Sequence, residues 1–199
     1  LTDDKYSLNV FIRLFFQILI TFLIIVLFDI KVNNIGYIPY FGTVELGSLS
    51  IFFTIICVIL IINSINYFDG INGMAASLFI ITLFNFLFLA YLNHQIFIHY
   101  LVLIIPPLIF LLFNFKFLKL PRIFLGNNGS TMIGFIISFL SIELVFFYDL
   151  GVDQSLIIWV LALIVYEFIS TTLSRIIRSK PIFLPGHDHI HYLLGKLFG

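Results

Sequence analysis

Six stretches of continuously apolar sequence, 8–28, 46–65, 74–92, 96–115, 130–148 and 155–174, decide what this chain can fold into. Each is close to the roughly 20 residues that a helix needs to cross the hydrocarbon core of a bilayer. In lipid a backbone N–H or C=O has no water to bond, so a spanning segment must satisfy its own polar groups, as a helix does. Barrel strands would alternate apolar and polar residues over about ten positions, and these segments do not alternate. Composition agrees. Of 199 residues, 61% are hydrophobic and 10% are charged, which is too little charge to cover a water-facing domain and too much apolar surface for a disordered one. The expectation is an all-α polytopic membrane protein of about six transmembrane helices. Residues 1–199 would form one membrane-embedded domain, with the lipid bilayer as its solvent.

Charge orients the spans. Crossing the membrane six times places residues 1–7, 66–73, 116–129 and 175–199 on one side. That side carries Lys5, Lys116, Lys119, Arg122, Arg175, Arg178, Lys180 and Lys196, whereas the loops 29–45, 93–95 and 149–154 carry only Lys31. By the positive-inside rule the first side is cytoplasmic. Arg13 lies near that interface, where it can snorkel. Ten basic and ten acidic residues leave no net charge, so no nucleic-acid partner is indicated. The single Cys57 lies in an apolar run and reads as a packing residue, which excludes a disulfide framework. The Gly/Pro/Asn-rich segment 33–47 reads as an outer turn or short hairpin, and Pro106-Pro107 should kink or break the fourth helix. The chain opens on Leu1 and a charged TDDKYS stretch rather than a signal peptide, the pattern expected of a start inside a longer protein.

Four polar clusters fall on the cytoplasmic side and suggest one site. They are Asp3-Asp4, the segment from Asn63 through Asn66, Asp69, Gly70 and Asn72 to Gly73, the segment from Phe124 through Gly126 and Asn127 to Ser130, and His187-Asp188-His189-Ile190-His191. The Asp pair can hold a hard cation, take a proton, or cap a helix. Asn63, Asn66 and Asp69 are spaced to share a helical face, and the glycines after them let backbone approach a ligand. Residues 126–130 lead into a span whose N-terminus could attract phosphate, or form an ordinary turn with a Ser cap. The histidines could bind a transition metal, donate to phosphate oxygens, or lie on the surface. Within the spans, Glu143 and Glu167 are costly in lipid and should face the protein interior. Glu167, Thr171 and Arg175 share a helical face and read as one wall of a lined cavity.

At these residues the sequence resembles the polyprenyl-phosphate N-acetylhexosamine-1-phosphate transferases. The resemblance is carried by Asp3-Asp4, NSINYFDGINGMA (63–75), FLGNNGS (124–130) and HDHIH (187–191), with FGTVELG (41–47) also similar, in the family's order. Family members have roughly ten or eleven spans, so this chain looks like their middle and C-terminal part. Its spaced histidines are more like the N-acetylglucosaminyl-1-phosphate branch than the pentapeptide branch.

The resemblance implies that a polyprenyl phosphate, such as undecaprenyl phosphate, attacks a UDP-N-acetylhexosamine, with UDP-N-acetylglucosamine the expected donor. UMP would leave, in cell-wall or lipopolysaccharide biosynthesis at a bacterial inner membrane. It implies magnesium, or manganese, as cofactor, and is compatible with a homodimer. Carried over, Asp3 and Asp4 would handle the carrier phosphate or the metal. Asn63, Asn66 and Asp69 would arrange the polar network, with Asp69 catalytic. Gly70 and Asn72 sit where the family contacts uracil and Phe124 where it stacks on it. His187, His189 and His191 fall in the segment that binds the sugar-nucleotide phosphates.

The chain departs from the family at four places. Asn127 stands where the family usually has its magnesium-binding Asp, and a neutral carbonyl is a weaker ligand for a hard cation. Asn72 replaces a frequent Asp, Gly186-His187 an Asp-Arg pair, and Tyr192 a His. Two other classes stand beside the transferase: a transporter or channel, which would suit polar residues in spans and a broken helix, and an inactive family fragment. The charge asymmetry yields a first prediction. Single cysteines at positions 70, 127 and 187, in cells, should resist a membrane-impermeant thiol reagent added outside. Ready labelling of any one overturns the orientation.

Overall fold

The computed structural model describes residues 9–70, 72–92, 98–115, 121, 123–147 and 154–179. Helix α1 runs Val10–Phe28 after the cap Asn9, whose side chain accepts the Phe11 N–H at 3.0 Å. Asp29 ends it in the left-handed conformation. Strands β1 (Asn34–Ile38) and β2 (Gly42–Glu45) then pair antiparallel, with Tyr37 opposite Thr43 and Ile38 opposite Gly42. The hairpin foreseen at 33–47 is thus present, a small β element on an otherwise helical chain.

Helix α2 (Ser50–Phe68) follows a single 3-10 turn. Then come α3 (Met74–Leu92), α4 (Ile98–Asn114), α5 (Gly126–Ile142) with a π-helical extension over Glu143–Phe147, α6 (Gln154–Val160) and α7 (Ala162–Ile177). Among the described residues four helical segments are long and apolar enough to cross a membrane: Val10–Phe28, Gly47–Phe68, Met74–Leu92 and Gly126–Val145. Of the other two expected spans, the fourth is described over Ile98–Asn114 as α4, an apolar helix of 17 described residues. Of the kink or break expected at Pro106-Pro107, the break does not occur. Both prolines lie inside the continuous helix, as membrane helices tolerate when neighbours and local adjustments compensate for the missing donors. The span expected at 155–174 is interrupted at Leu161, although Leu161 still donates to the Ile157 carbonyl and Val165 to that of Leu161.

Helix α2 is the hub. It packs most extensively on α5, and also on α7 and α1, while α3 and α4 pack on each other. The α2–α5 crossing is close because Gly134 presents no side chain: a Cβ there would lie 2.6 Å from the Ile62 Cα. The core between α2, α3, α4 and α5 includes Ile65, Phe79, Leu83, Phe86, Tyr100 and Ile137. Helix α1 buries only Thr21 and Ile25, and Asn63 of α2 donates to Gln17 of α1 at 3.4 Å. At the opposite end of α2 the hairpin is latched down. Thr54 Oγ1 accepts the Val32 N–H at 2.9 Å, the Ser50 hydroxyl donates to the Val32 carbonyl, and Gln154 donates to Asn34 at 2.9 Å.

A cavity of about 310 Å³ lies between β1, α2, α5, α6 and α7, lined mainly by apolar side chains. Cys57 is half-buried at its wall, consistent with a packing role. Gly134→Ala should open the α2–α5 crossing and cost about 1–3 kcal/mol, as overpacking does. This predicts a thermal midpoint in detergent several degrees below wild type, and an unchanged midpoint would contradict the close approach.

Candidate active site

Helices α1 to α5 run in alternate directions, and α6, tied to the hairpin at Gln154, continues through Leu161 into α7, so the ends of α2, α4 and α7 and the starts of α3 and α5 face away from the hairpin. That end gathers the described parts of the 63–73 and 124–130 motifs. Asn66, expected in the loop 66–73, lies with Asn63 in α2, which runs on to Phe68. The apolar run ends near 65, but its helix continues through the polar turn. Asn63 bonds within the bundle, its amide donating to the Ile59 carbonyl at 2.8 Å as well as to Gln17. Asn66 is half-buried, and its carbonyl accepts the Asp69 N–H at 3.3 Å. This turns the chain at Asp69, which caps α2. Gly70 and Asn72 are exposed beyond it.

Gly73 closes this turn, and only glycine fits. Its φ is +73°, and a Cβ would lie 2.6 Å from Phe115 Cζ and 2.9 Å from Leu111 Cδ2 of α4. Its carbonyl accepts the Ser77 N–H at 2.8 Å and so opens α3. The second loop leans on the same turn of α4. Asn114, 3% exposed, donates from Nδ2 to the Ile123 carbonyl at 2.8 Å. Phe124, the next residue, is 73% exposed. Helix α5 begins at Gly126, and its N-cap residue Leu125 makes no side-chain bond to it. Ser130 does not cap it either, since its hydroxyl donates back to the Gly126 and Asn127 carbonyls. The N-terminus of a helix favours an anion. Asn127 is half-buried in this first turn.

Helix α7 adds the charged wall. Glu167, Thr171 and Arg175 are all buried on one face, and Thr171 donates to Glu167 Oε1 at 3.2 Å. The shared face expected for them is present, but they do not line the cavity, whose α7 residue is Val165. They face α2 instead: Tyr67 stacks on Phe168 with ring centroids 5.7 Å apart, and the Arg175 guanidinium lies 5.9 Å from the Tyr67 centroid, within cation–π range. Glu143 is at the other end of the bundle, 3.7 Å from His99.

Asp3, Asp4, His187, His189 and His191 lie outside the described residues. Among the described residues no group of three His, Cys, Asp or Glu is positioned to hold a metal. Asp69 and Asn127 offer one carboxylate and one neutral oxygen at this end. Two residues here escaped the sequence reading. Tyr67 sits inside the NSINYFDG motif, where it passes for an ordinary apolar neighbour. Asn114 ends an apolar run, and its polar side chain at that point was the available signal.

Fold and site together define a polytopic helical membrane protein with polar loops gathered at one end. The family model described as glycosyl transferase family 4 matches residues 1–145, and the chain belongs to that family. It is 32% identical over 202 residues to a probable undecaprenyl-phosphate N-acetylglucosaminyl 1-phosphate transferase of Bacillus subtilis (strain 168), covering 96% of this chain and 53% of that protein. It is 25% identical over 197 residues to the undecaprenyl-phosphate alpha-N-acetylglucosaminyl 1-phosphate transferase of Escherichia coli (strain K12), with the same two coverages. For the enzyme of that name from Salmonella typhi the identity is 26%. The chain thus spans about half the length of the curated relatives it matches.

Proposed function

We propose that this chain carries the cytoplasmic site of an integral-membrane phosphoglycosyl transferase that moves N-acetylglucosamine 1-phosphate from its UDP derivative to undecaprenyl phosphate. The observation that carries the reading is the pairing of the 69–73 turn with the 123–127 segment, both seated on the last turn of α4. Family membership supports it, since the relatives are named for transfer of that phosphosugar to that carrier.

In the reaction an oxygen of the carrier phosphate attacks the sugar-linked phosphorus. The new P–O bond forms as the bridging P–O bond to the nucleotide breaks, and the electron pair leaves on UMP. No oxidant, reductant or other co-reactant is needed. The demands on the protein are alignment and charge stabilisation. Phe124 and the Gly70–Asn72 turn would hold the base. The N-terminus of α5 and Arg175 would supply positive potential for the phosphates, with His187, His189 and His191 as further donors. Asp69, Asn127 and the Asp3-Asp4 pair would hold magnesium, or manganese, which when bound neutralises phosphate charge. A site at the inner membrane's cytoplasmic interface lets a lipid phosphate meet a soluble nucleotide. A transporter reading has less to work with, because the cavity within the bundle is largely apolar.

The test is UMP release by the full-length protein supplied with UDP-N-acetylglucosamine, with and without undecaprenyl phosphate. UMP should appear only with the lipid acceptor and in equal amount to the lipid-linked product. Failure to release UMP overturns the reading. In the active protein, Asp69→Asn should lower turnover at least about tenfold, equivalent to about 1.4 kcal/mol of lost transition-state stabilisation, whereas an unchanged rate would remove Asp69 from the machinery. Asn127→Asp restores a carboxylate at almost unchanged volume. It should lower the half-saturating magnesium concentration in a titration of the same activity. Identical titration curves would mean that position 127 does not touch the ion.

A further inference from the structure

We propose that Asn114 is a positioning residue for nucleotide binding: its carboxamide clamps the Ile123 carbonyl and so fixes where Phe124 can stand. The consequence for binding rests on the proposed phosphosugar transfer, but the clamp itself is geometric.

Asn114 is the last residue of α4, 3% exposed, and its Nδ2 lies 2.8 Å from the Ile123 carbonyl oxygen, nine residues on. Burying a carboxamide at the end of an apolar helix is unfavourable unless it bonds. Among the described residues its Oδ1 has no hydrogen-bond partner, so the side chain is held there by the Nδ2 bond alone. The same turn of α4 offers Leu111 and Phe115 to Gly73, at distances that leave no room for a Cβ. One helical turn thus braces both loops of the site. It holds the 69–73 turn by steric contact and the 123–127 segment by a hydrogen bond.

The two braces differ in what they control. Phe124 follows the clamped carbonyl directly, and its ring is mostly exposed. An exposed ring can stack on a planar base only if the backbone beneath it is fixed, because stacking needs the rings at a defined offset and separation. The ligand class that reads this geometry is a nucleotide carrying a flat heterocycle. Losing the clamp should therefore weaken nucleotide binding more than it slows the chemical step.

The experiment uses the full-length protein with Asn114→Asp, which keeps the shape and removes the donor, and Asn114→Ala as the second variant. Three quantities are measured: the Kd for UDP, steady-state kinetics with UDP-N-acetylglucosamine, and hydrogen–deuterium exchange over 121–130. In the Asp variant the UDP Kd and the donor KM should rise about tenfold, the loss of about one such hydrogen bond with its geometry. The kcat should stay within about threefold, and exchange over 121–130 should accelerate. A purely structural role would reduce the active fraction and hence kcat while leaving KM and Kd unmoved. In a double-mutant cycle, Asn114→Asp added to Phe124→Ala should weaken UDP binding no further. Additive losses, or a lowered kcat with unchanged Kd, overturn the proposal. Unchanged exchange overturns the clamp whether or not the protein transfers a sugar. A wild type that releases no UMP but shows the exchange difference fails the proposed function alone.

Discussion

The close crossing of α2 and α5 is the contact on which the rest of the molecule depends. Between helices in lipid there is little hydrophobic driving force, because lipid tails are as apolar as leucine, and association relies on packing and on polar contacts. Gly134 lets the backbone of α5 come against Ile62, and this fixes where both helices end. The far end of α2 is Asn66 to Asp69 and the near end of α5 is Gly126 to Asn127. A crossing that holds these helices together also holds their polar termini at one end of the bundle. The hairpin end is latched separately, by Ser50, Thr54 and Gln154, so α2 is tied at both ends and packed along its length.

The polar side chains inside the bundle divide by what they bond to. Ser64, Ser138 and Ser141 each donate to the carbonyl four residues back in their own helix, which satisfies the hydroxyl and asks nothing of a neighbour. Asn63 and Asn114 instead reach across to another element. These cross-links are the ones that join helices α1 and α2 and seat the second loop. Glu167, Thr171 and Arg175 form a third group, buried on one face against α2. Charged groups at such depth are costly and mark function more often than packing, and here they lie beside the turn that bears Asp69.

A membrane interface explains why the site is divided among so many short motifs. Each helix can deliver only its last turn and the loop beyond it to the water-facing end. The proposed reaction, which brings a nucleotide sugar to a lipid phosphate, would therefore draw on several helix ends. Their relative placement has to come from the bundle, and α4 supplies it although it contributes no member of the expected catalytic set. Its buried terminal Asn suits a bracing role.

Much was legible in the sequence because the bilayer removes choices. Without water, an apolar run of some twenty residues is a helix whatever its neighbours, so α1, α2, α3 and α5 follow from hydropathy alone. The hairpin followed from Gly and Pro between runs, and the shared face of Glu167, Thr171 and Arg175 from helical periodicity. Short motifs in order also identified the family. What hydropathy could not decide is how polar residues are used. Whether Asn66 belongs to the helix or to the loop depends on Asp69 capping α2 three residues beyond. Whether Pro106-Pro107 breaks α4, and whether 155–174 is one helix, depends on the partners around them. Above all, Asn114 is only a polar residue at the end of a span until the fold brings Ile123 within 2.8 Å of it. Local sequence sets backbone conformation in lipid, but a contact between residues on different elements exists only once the helices have packed.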